Sequence, residues 1–293
     1  MTLVLRQLWA VLRKDLLIDL RRKENLLSMF FFALLTLMTF YLAAGSMQET
    51  RFRLTPRALA LLSVGRWPPE RIDALRPLLG RSFETQAGFL AELKAVEDLE
   101  LSGEERIELL GVARGTAMQE LAPGFLWVTF LLAGVLGLDK SFGQERENGC
   151  LEGLLLTPVG RGLIYLGKMG GNAAFLIGIL VLLVPLYSLL FQLTLWDVLP
   201  ALALISLGGV VGFTALGTLL GGLVSTLRGK EVLLPLLLFP LVAPLLIALV
   251  QLTGAVLAGD PLSLYAHWIR LVLGFDVLFL VVSFLAFEYV VES

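Results

Sequence analysis

The chain has 293 residues, 57% of them hydrophobic and only 16% charged, with a mean hydropathy of +0.84 and a net charge of −2. Soluble domains carry about 25% charged residues, so this composition excludes an ordinary soluble protein and indicates a chain that crosses a membrane several times. The near-neutral charge gives no basic character for nucleic acid, and one Cys with one His excludes a disulfide framework, a zinc ribbon or a His-rich metal site within the chain.

Residues 1–24 hold Arg6, Arg13, Lys14, Arg21, Arg22 and Lys23, and no small-residue cleavage site separates them from the apolar run that follows. The segment therefore does not read as a removable signal. Leu5, Leu8, Leu12, Leu16 and Leu20 recur at helical spacing, with Arg6, Arg13 and Lys14 off that stripe. This predicts an amphipathic helix lying on the inner membrane surface and leading into the first span.

A span needs about 20 mostly apolar residues, because the hydrocarbon core is ~30 Å thick. Six segments qualify: Asn25–Ala44, Leu121–Leu138, Met169–Trp196, Val198–Leu227, Val232–Gly259 and Leu271–Phe287. Each must be helical, since an open strand edge cannot satisfy its backbone in lipid. The expected fold is an all-α integral membrane protein of six spans, with the interfacial helix before them. Residues 45–120 form an extracytoplasmic helical insert, 139–168 a cytoplasmic loop, and 169–293 the last four spans.

Orientation follows from the basic ends. The N-terminal cations, the 139–168 loop with Lys140, Arg146, Arg161 and Lys168, and the 228–231 turn with Arg228 and Lys230 all fall inside. Both termini are then cytoplasmic. The insert carries ten Lys or Arg, but so long a loop escapes the charge rule. Trp127, Trp196 and Trp268 fall near outer span ends, where an aromatic belt is expected.

Within the insert, "ERIDALRPLL" after Pro68 and Pro69 predicts a short helix. Phe89, Leu93, Val96 and Leu99 share a helical face, and Ser102 with Glu105 forms a capping box before "GEERIELLGVARG". So small a segment is marginal on its own and is expected to pack on the span ends or on a partner.

From Gly162 the chain reads G-x-x-x-x-G-K, the start of a phosphate-binding loop. Met169 stands where that loop needs a Ser or Thr for Mg²⁺, and the match leads straight into a span, so it is a coincidence of spacing. The small residues Gly167, Gly171, Ala174 and Gly178 instead fall on one narrow helical stripe. Gly208 with Gly212, and Gly217 with Gly221, mark two further faces in the fourth span. Such stripes let membrane helices approach closely. "GQERENGCLEGLLLTPVGR" (143–161) mixes Glu145, Arg146, Glu147 and Glu152 with Leu151, Leu154 and Leu155, and Pro158 ends any helix. A short amphipathic helix between two spans suits either a surface that a cytoplasmic ATPase grips or a purely structural inner helix.

The stretch "ENGCLEGLLLTPVGR" resembles the ENG-x-LEGLLL-x-P-x-x-R motif of the CcmB family, the permease of a cytochrome c maturation ABC transporter. "LRKDLLIDLRRKE" (12–24), "LAPGFLWVTFLLAGVLGLDKSF" (121–142), "KEVLLPLLLFPL" (230–241) and "FDVLF" (275–279) resemble the same family in the same order. The long insert, about 51–117, departs from it. The resemblance implies a non-catalytic subunit in the bacterial inner membrane, working as two copies with two copies of the ATPase CcmA and beside CcmC, CcmD and the haem chaperone CcmE. ATP and Mg would sit on the ATPase and haem on partner proteins, with no cofactor on this chain. Glu147, Asn148, Gly149, Glu152, Gly153, Pro158 and Arg161 match the motif, so the resemblance implies that they face the ATPase, with Glu145 beside them. The implied outcome is ATP-driven release of haem-loaded chaperone, or haem export.

Three single residues remain. Asp276 is the one acid inside a predicted span, and must face a polar cavity, pair, or be protonated. It either lines or couples an inter-helix pathway, or makes a buried hydrogen bond. His267 beside Trp268 reads as an exposed or hydrogen-bonded side chain rather than a haem ligand. Cys150 reads as a small packing residue. Other function classes are an ABC permease for a lipid or drug, an ion-driven transporter, and a membrane enzyme. An ion-driven transporter needs several mid-membrane ionisable groups, and a membrane enzyme needs clustered His, Asp or Ser.

Overall fold

A computed structural model describes residues 23–44, 50–64, 67–96, 101–147, 160–193, 196–225 and 230–290. The predicted helix at 1–24 lies outside them save for its last residues, which open α1 (Lys23–Ala43). After α1 the chain enters the insert: β1 (Thr50–Arg53), α2 (Pro56–Val64), α3 (Pro69–Leu75) with a 3-10 turn at Arg76–Leu78, β2 (Ser82–Phe83), α4 (Gln86–Lys94), α5 (Gly103–Ala113) and β3 (Arg114–Thr116). The strand β3 runs directly into α6 (Ala117–Glu147), which is followed by α7 (Arg161–Phe191), α8 (Leu199–Ser225), α9 (Lys230–Ala258) and α10 (Ala266–Val290).

Helices α6 to α10 each hold a stretch long and apolar enough to cross a membrane, and α1 holds a shorter one, Leu27–Ala43. The chain is thus a helical membrane protein. Proline lies inside α6 (Pro123), α7 (Pro185) and α9 (Pro235, Pro240 and Pro244). Membrane helices tolerate it because neighbouring groups can take up the freed carbonyls.

The hub is α8, packed on α6, α7, α9 and α10, while α1 lies against α6 and α7. Trp127, Phe130, Phe213, Leu245 and Leu249 fill the middle of this bundle. The least covered span is α10, where Leu273, Val277, Leu278, Val281 and Leu285 all stand exposed. An exposed apolar face of that length suits lipid contact.

Three expectations change here. First, the insert is not purely helical. β1 lies between β2 and β3 in an antiparallel sheet, with Phe52 opposite both Phe83 and Arg114. Strands of two to four residues are too short to show a period of two, so the helical signals around them dominated. Second, α6 and α7 both run into the predicted loop. α6 continues to Glu147 and α7 starts at Arg161, well before Met169, so the predicted loop at 139–168 is mostly helical. Hydropathy locates the lipid-crossing stretch and not the helix ends. Third, Trp127 is not interfacial. It is fully buried, and its indole Nε1–H donates to Thr253 Oγ1 at 2.9 Å. Trp196 is 86% exposed, as an interfacial side chain would be.

The insert has its own core, separate from that of the bundle. Phe52, Leu54, Leu62, Trp67, Leu75, Phe89 and Leu109 are buried together, with the Phe52 and Phe89 rings stacked 5.7 Å apart. Trp67 Nε1 donates to Glu108 Oε2 at 2.9 Å, so its polar edge is satisfied. The capping box forms as read: Ser102 Oγ accepts from the Glu105 N–H, and Glu105 Oε2 accepts from the Ser102 N–H at 2.9 Å. Leu93 is buried on α4 and Val96 follows that helix, while Leu99 lies outside the described residues.

Candidate functional site in the membrane bundle

The parallel pair α8 and α10 meets along small residues. Without side chains, Gly208 and Gly212 leave a flat strip one helical turn long. Val272 and Asp276, also a turn apart, fill it. A Cβ added at Gly208 would stand 2.9 Å from Val272 Cγ1. One added at Gly212 would stand 2.9 Å from Leu245 Cδ2 and 3.1 Å from Phe275 Cδ1, with Asp276 Oδ1 closer still. Contacts that tight exclude any larger residue at 212 unless a neighbour moves.

Asp276 is 8% exposed, and its Oδ1 has no hydrogen-bond partner among the described residues. A carboxylate at mid-span costs about 2.5–3.5 kcal/mol on insertion scales, so its place against bare α8 backbone calls for an explanation. From the sequence, Asp276 either takes a pathway role or makes a simple buried hydrogen bond. At Oδ1 the hydrogen bond is not made.

More buried polar side chains line the seam of α7, α8 and α10. Tyr165 Oη donates to the Ala215 carbonyl at 2.9 Å, and Asn172 Nδ2 donates to Thr218 Oγ1 at 3.1 Å. Thr214 Oγ1 donates back to the Val210 carbonyl at 2.6 Å. Ser283 is fully buried on α10. Lys168, expected in a cytoplasmic loop, is 3% exposed on α7 instead. The phosphate-loop look-alike around it, from Gly162 onward, is therefore continuous helix. Polar contacts between membrane helices fix register and add about 0.6 kcal/mol each on average. Tyr165 and Asn172 thus make two specific, individually weak joints between α7 and α8.

The other small residues divide. Gly217 abuts Leu138 of α6, and Gly167, Gly171 and Gly221 are buried, with Ala174 partly so. Gly178 is exposed and has open space where a Cβ would stand, so no neighbour requires glycine there. Close approaches also occur where the stripes gave no sign. Gly134 faces Phe213, Gly137 faces Met29, Gly162 faces Phe284 and Gly209 faces Trp127, each within 2.5–2.7 Å of a built Cβ. A lone glycine opposite an aromatic has no repeat for spacing to detect.

Of the ATPase-facing candidates, Glu145, Glu147 and Arg161 fall among the described residues. Glu145 and Glu147 belong to the last turns of α6, and Arg161 opens α7. Asn148, Gly149, Cys150, Glu152, Gly153 and Pro158 lie outside the described residues. His267 is exposed, its ring 4.9 Å from that of Trp268. No group of three or more His, Cys, Asp or Glu that could hold a metal occurs among the described residues.

A family model described as CcmB protein matches residues 108–293. That stretch takes in α6 to α10 and the 143–161 segment, and leaves α1 and most of the insert unmatched. The resemblance read at 12–24 lies outside it. Among characterised proteins, the heme exporter protein B of Pseudomonas aeruginosa is 34% identical over 152 residues, 52% of this chain and 68% of that protein. Its namesake from Haemophilus influenzae is 34% identical over 131 residues, 44% of this chain and 58% of that protein. The Rhodobacter capsulatus protein of the same name is 33% identical over 138 residues, 46% of this chain and 61% of that protein.

Proposed function

The chain belongs to the CcmB family, and from that premise we propose that it is the permease subunit of an ABC transporter in cytochrome c maturation. In this reading α1 and α6 to α10 are six spans in the bacterial inner membrane, with both termini cytoplasmic and the insert outside. An ATPase subunit, CcmA, binds and hydrolyses ATP, and two permeases pair with two ATPases beside CcmC, CcmD and CcmE. The stroke releases haem-loaded chaperone or exports haem, and the chain itself performs no catalysis.

One observation carries the coupling role. The ENG-x-LEGLLL-x-P-x-x-R segment joins the far end of α6, which runs on from its apolar stretch to Glu147, to the start of α7, whose apolar stretch begins at Gly162. A push on that segment acts along two stiff rods. α7 passes it to α8 through Tyr165 and Asn172, and to α10 through the contact of the Tyr165 and Phe287 rings. Glu145, Glu147, Asn148, Gly149, Glu152, Gly153, Pro158 and Arg161 would form the contact. The insert, on the opposite side, would meet the haem-delivery partners.

Purification in mild detergent tests the assembly. The reading expects an ATPase subunit to co-purify. A stable lone chain with proton-coupled flux would contradict it, and would favour the ion-driven alternative in which Asp276 carries the ion.

A further inference from the structure

The insert meets the bundle through arginines on one short stretch. Arg51 Nη1 pairs with Glu120 Oε2 at 3.3 Å, at the start of α6. Arg57 Nη2 pairs with Asp197 Oδ2 at 3.1 Å, in the connection from α7 to α8. Arg57 also sits on a second connection, the turn from α9 to α10. A Cβ built at Gly259 would stand 2.7 Å from Arg57 Cβ and 3.1 Å from its backbone N. Gly259 has φ +77°, a left-handed conformation that favours glycine. The turn beyond it is set by Tyr265, whose hydroxyl donates to Asp260 Oδ2 at 2.9 Å.

One residue thus touches two connections that belong to four different spans. Its backbone belongs to α2, whose Ala58, Leu59 and Leu62 are locked into the insert core. The two attachments differ in strength. The core of the insert is buried and apolar. The Arg57–Asp197 pair is open to water, Asp197 being 80% exposed, and such pairs are individually weak. We propose that Arg57 is a releasable keystone. It ties the α7–α8 connection to the α9–α10 turn beneath the insert, and the two helix pairs part on that side only when it lets go. This goes beyond the transport reading and needs neither its cargo nor its ATPase.

Ser206 offers a reporter. It lies on α8 inward of Asp197, and its Oγ is buried without a partner among the described residues. With Cys150→Ser to remove the native thiol, Ser206→Cys in nanodiscs should react slowly with a water-soluble maleimide. Arg57→Ala and Asp197→Asn should each speed the reaction about two- to fivefold, the range that an exposed ion pair carries. The double variant should be no faster than either single one, and Asp197→Glu should keep the slow rate. Raising ionic strength on the otherwise native chain should give a similar increase by screening the pair, with neither residue substituted. Rates unchanged by both substitutions and by salt, or increases that add in the double variant, would overturn the keystone.

Discussion

Asp276 occupies the space that a side chain at residue 212 would need. Its Oδ1 lies against the bare Cα of Gly212, so the glycine and the acid define one joint between α8 and α10. Gly212→Ala should destabilise the bundle by about 1–3 kcal/mol, the usual cost of overpacking. Gly212→Ala with Asp276→Ala should recover part of that loss, because the carboxylate's contact goes while those of Leu245 and Phe275 remain. Thermal unfolding in mild detergent measures both. Equal destabilisation of the single and double variants would show that the two residues do not share a joint.

Gly178→Ala is the matched control. Open space faces that position, so alanine should be neutral or stabilise by up to about 1 kcal/mol through its helix propensity. A loss as large as at Gly212 would mean that a second protein surface covers Gly178.

The bundle core contains one polar joint that sequence could not reveal. Thr253→Val should leave the Trp127 indole N–H unpaired at a fully buried site, costing about 1–3 kcal/mol. The same unfolding assay reads it, and tryptophan fluorescence should shift as the indole loses its partner.

Much of the fold was legible because lipid imposes a simple rule. An uncharged run such as Val198–Leu227 has to be a helix, and α8 covers Leu199–Ser225. The capping box at Ser102 and Glu105 was legible because its two hydrogen bonds need those residue types at that spacing. Lys168 was misplaced because its charge was weighed and its burial partners could not be. Trp127 was misplaced for a related reason: proximity to a span end does not say which way a ring faces. Gly162 and Phe284 are far apart in sequence, so no local pattern connects them. At Gly208 and Gly212 spacing exposed the strip but not the acid that fills it.

The insert should be pH-sensitive at Glu105. Hydrogen bonding to Ser102, and secondarily the Arg71 guanidinium, holds its carboxyl below the usual carboxylate range. The folded value is lowered, so the stabilisation is present above the ordinary carboxylate value and is lost as pH falls through the lowered one. Protection of residues 103–113 against hydrogen exchange in the full chain, referred to the intrinsic rate at each pH, should fall on acidification and fall less in Glu105→Gln. Ser102→Ala removes the cap itself and should cost about 0.5–2 kcal/mol locally. An acid response unchanged in Glu105→Gln would assign it elsewhere.

A segment between α6 and α7 that receives the push of an ATPase must fail when its charge is reversed. ATP hydrolysis and pull-down with the co-purified ATPase, comparing the native chain with Glu147→Lys and Glu152→Lys, read this. Association should weaken and permease-dependent hydrolysis should be lost, with the thermal stability of the bundle unchanged. Undiminished pull-down together with an undiminished hydrolysis rate in both variants would contradict it.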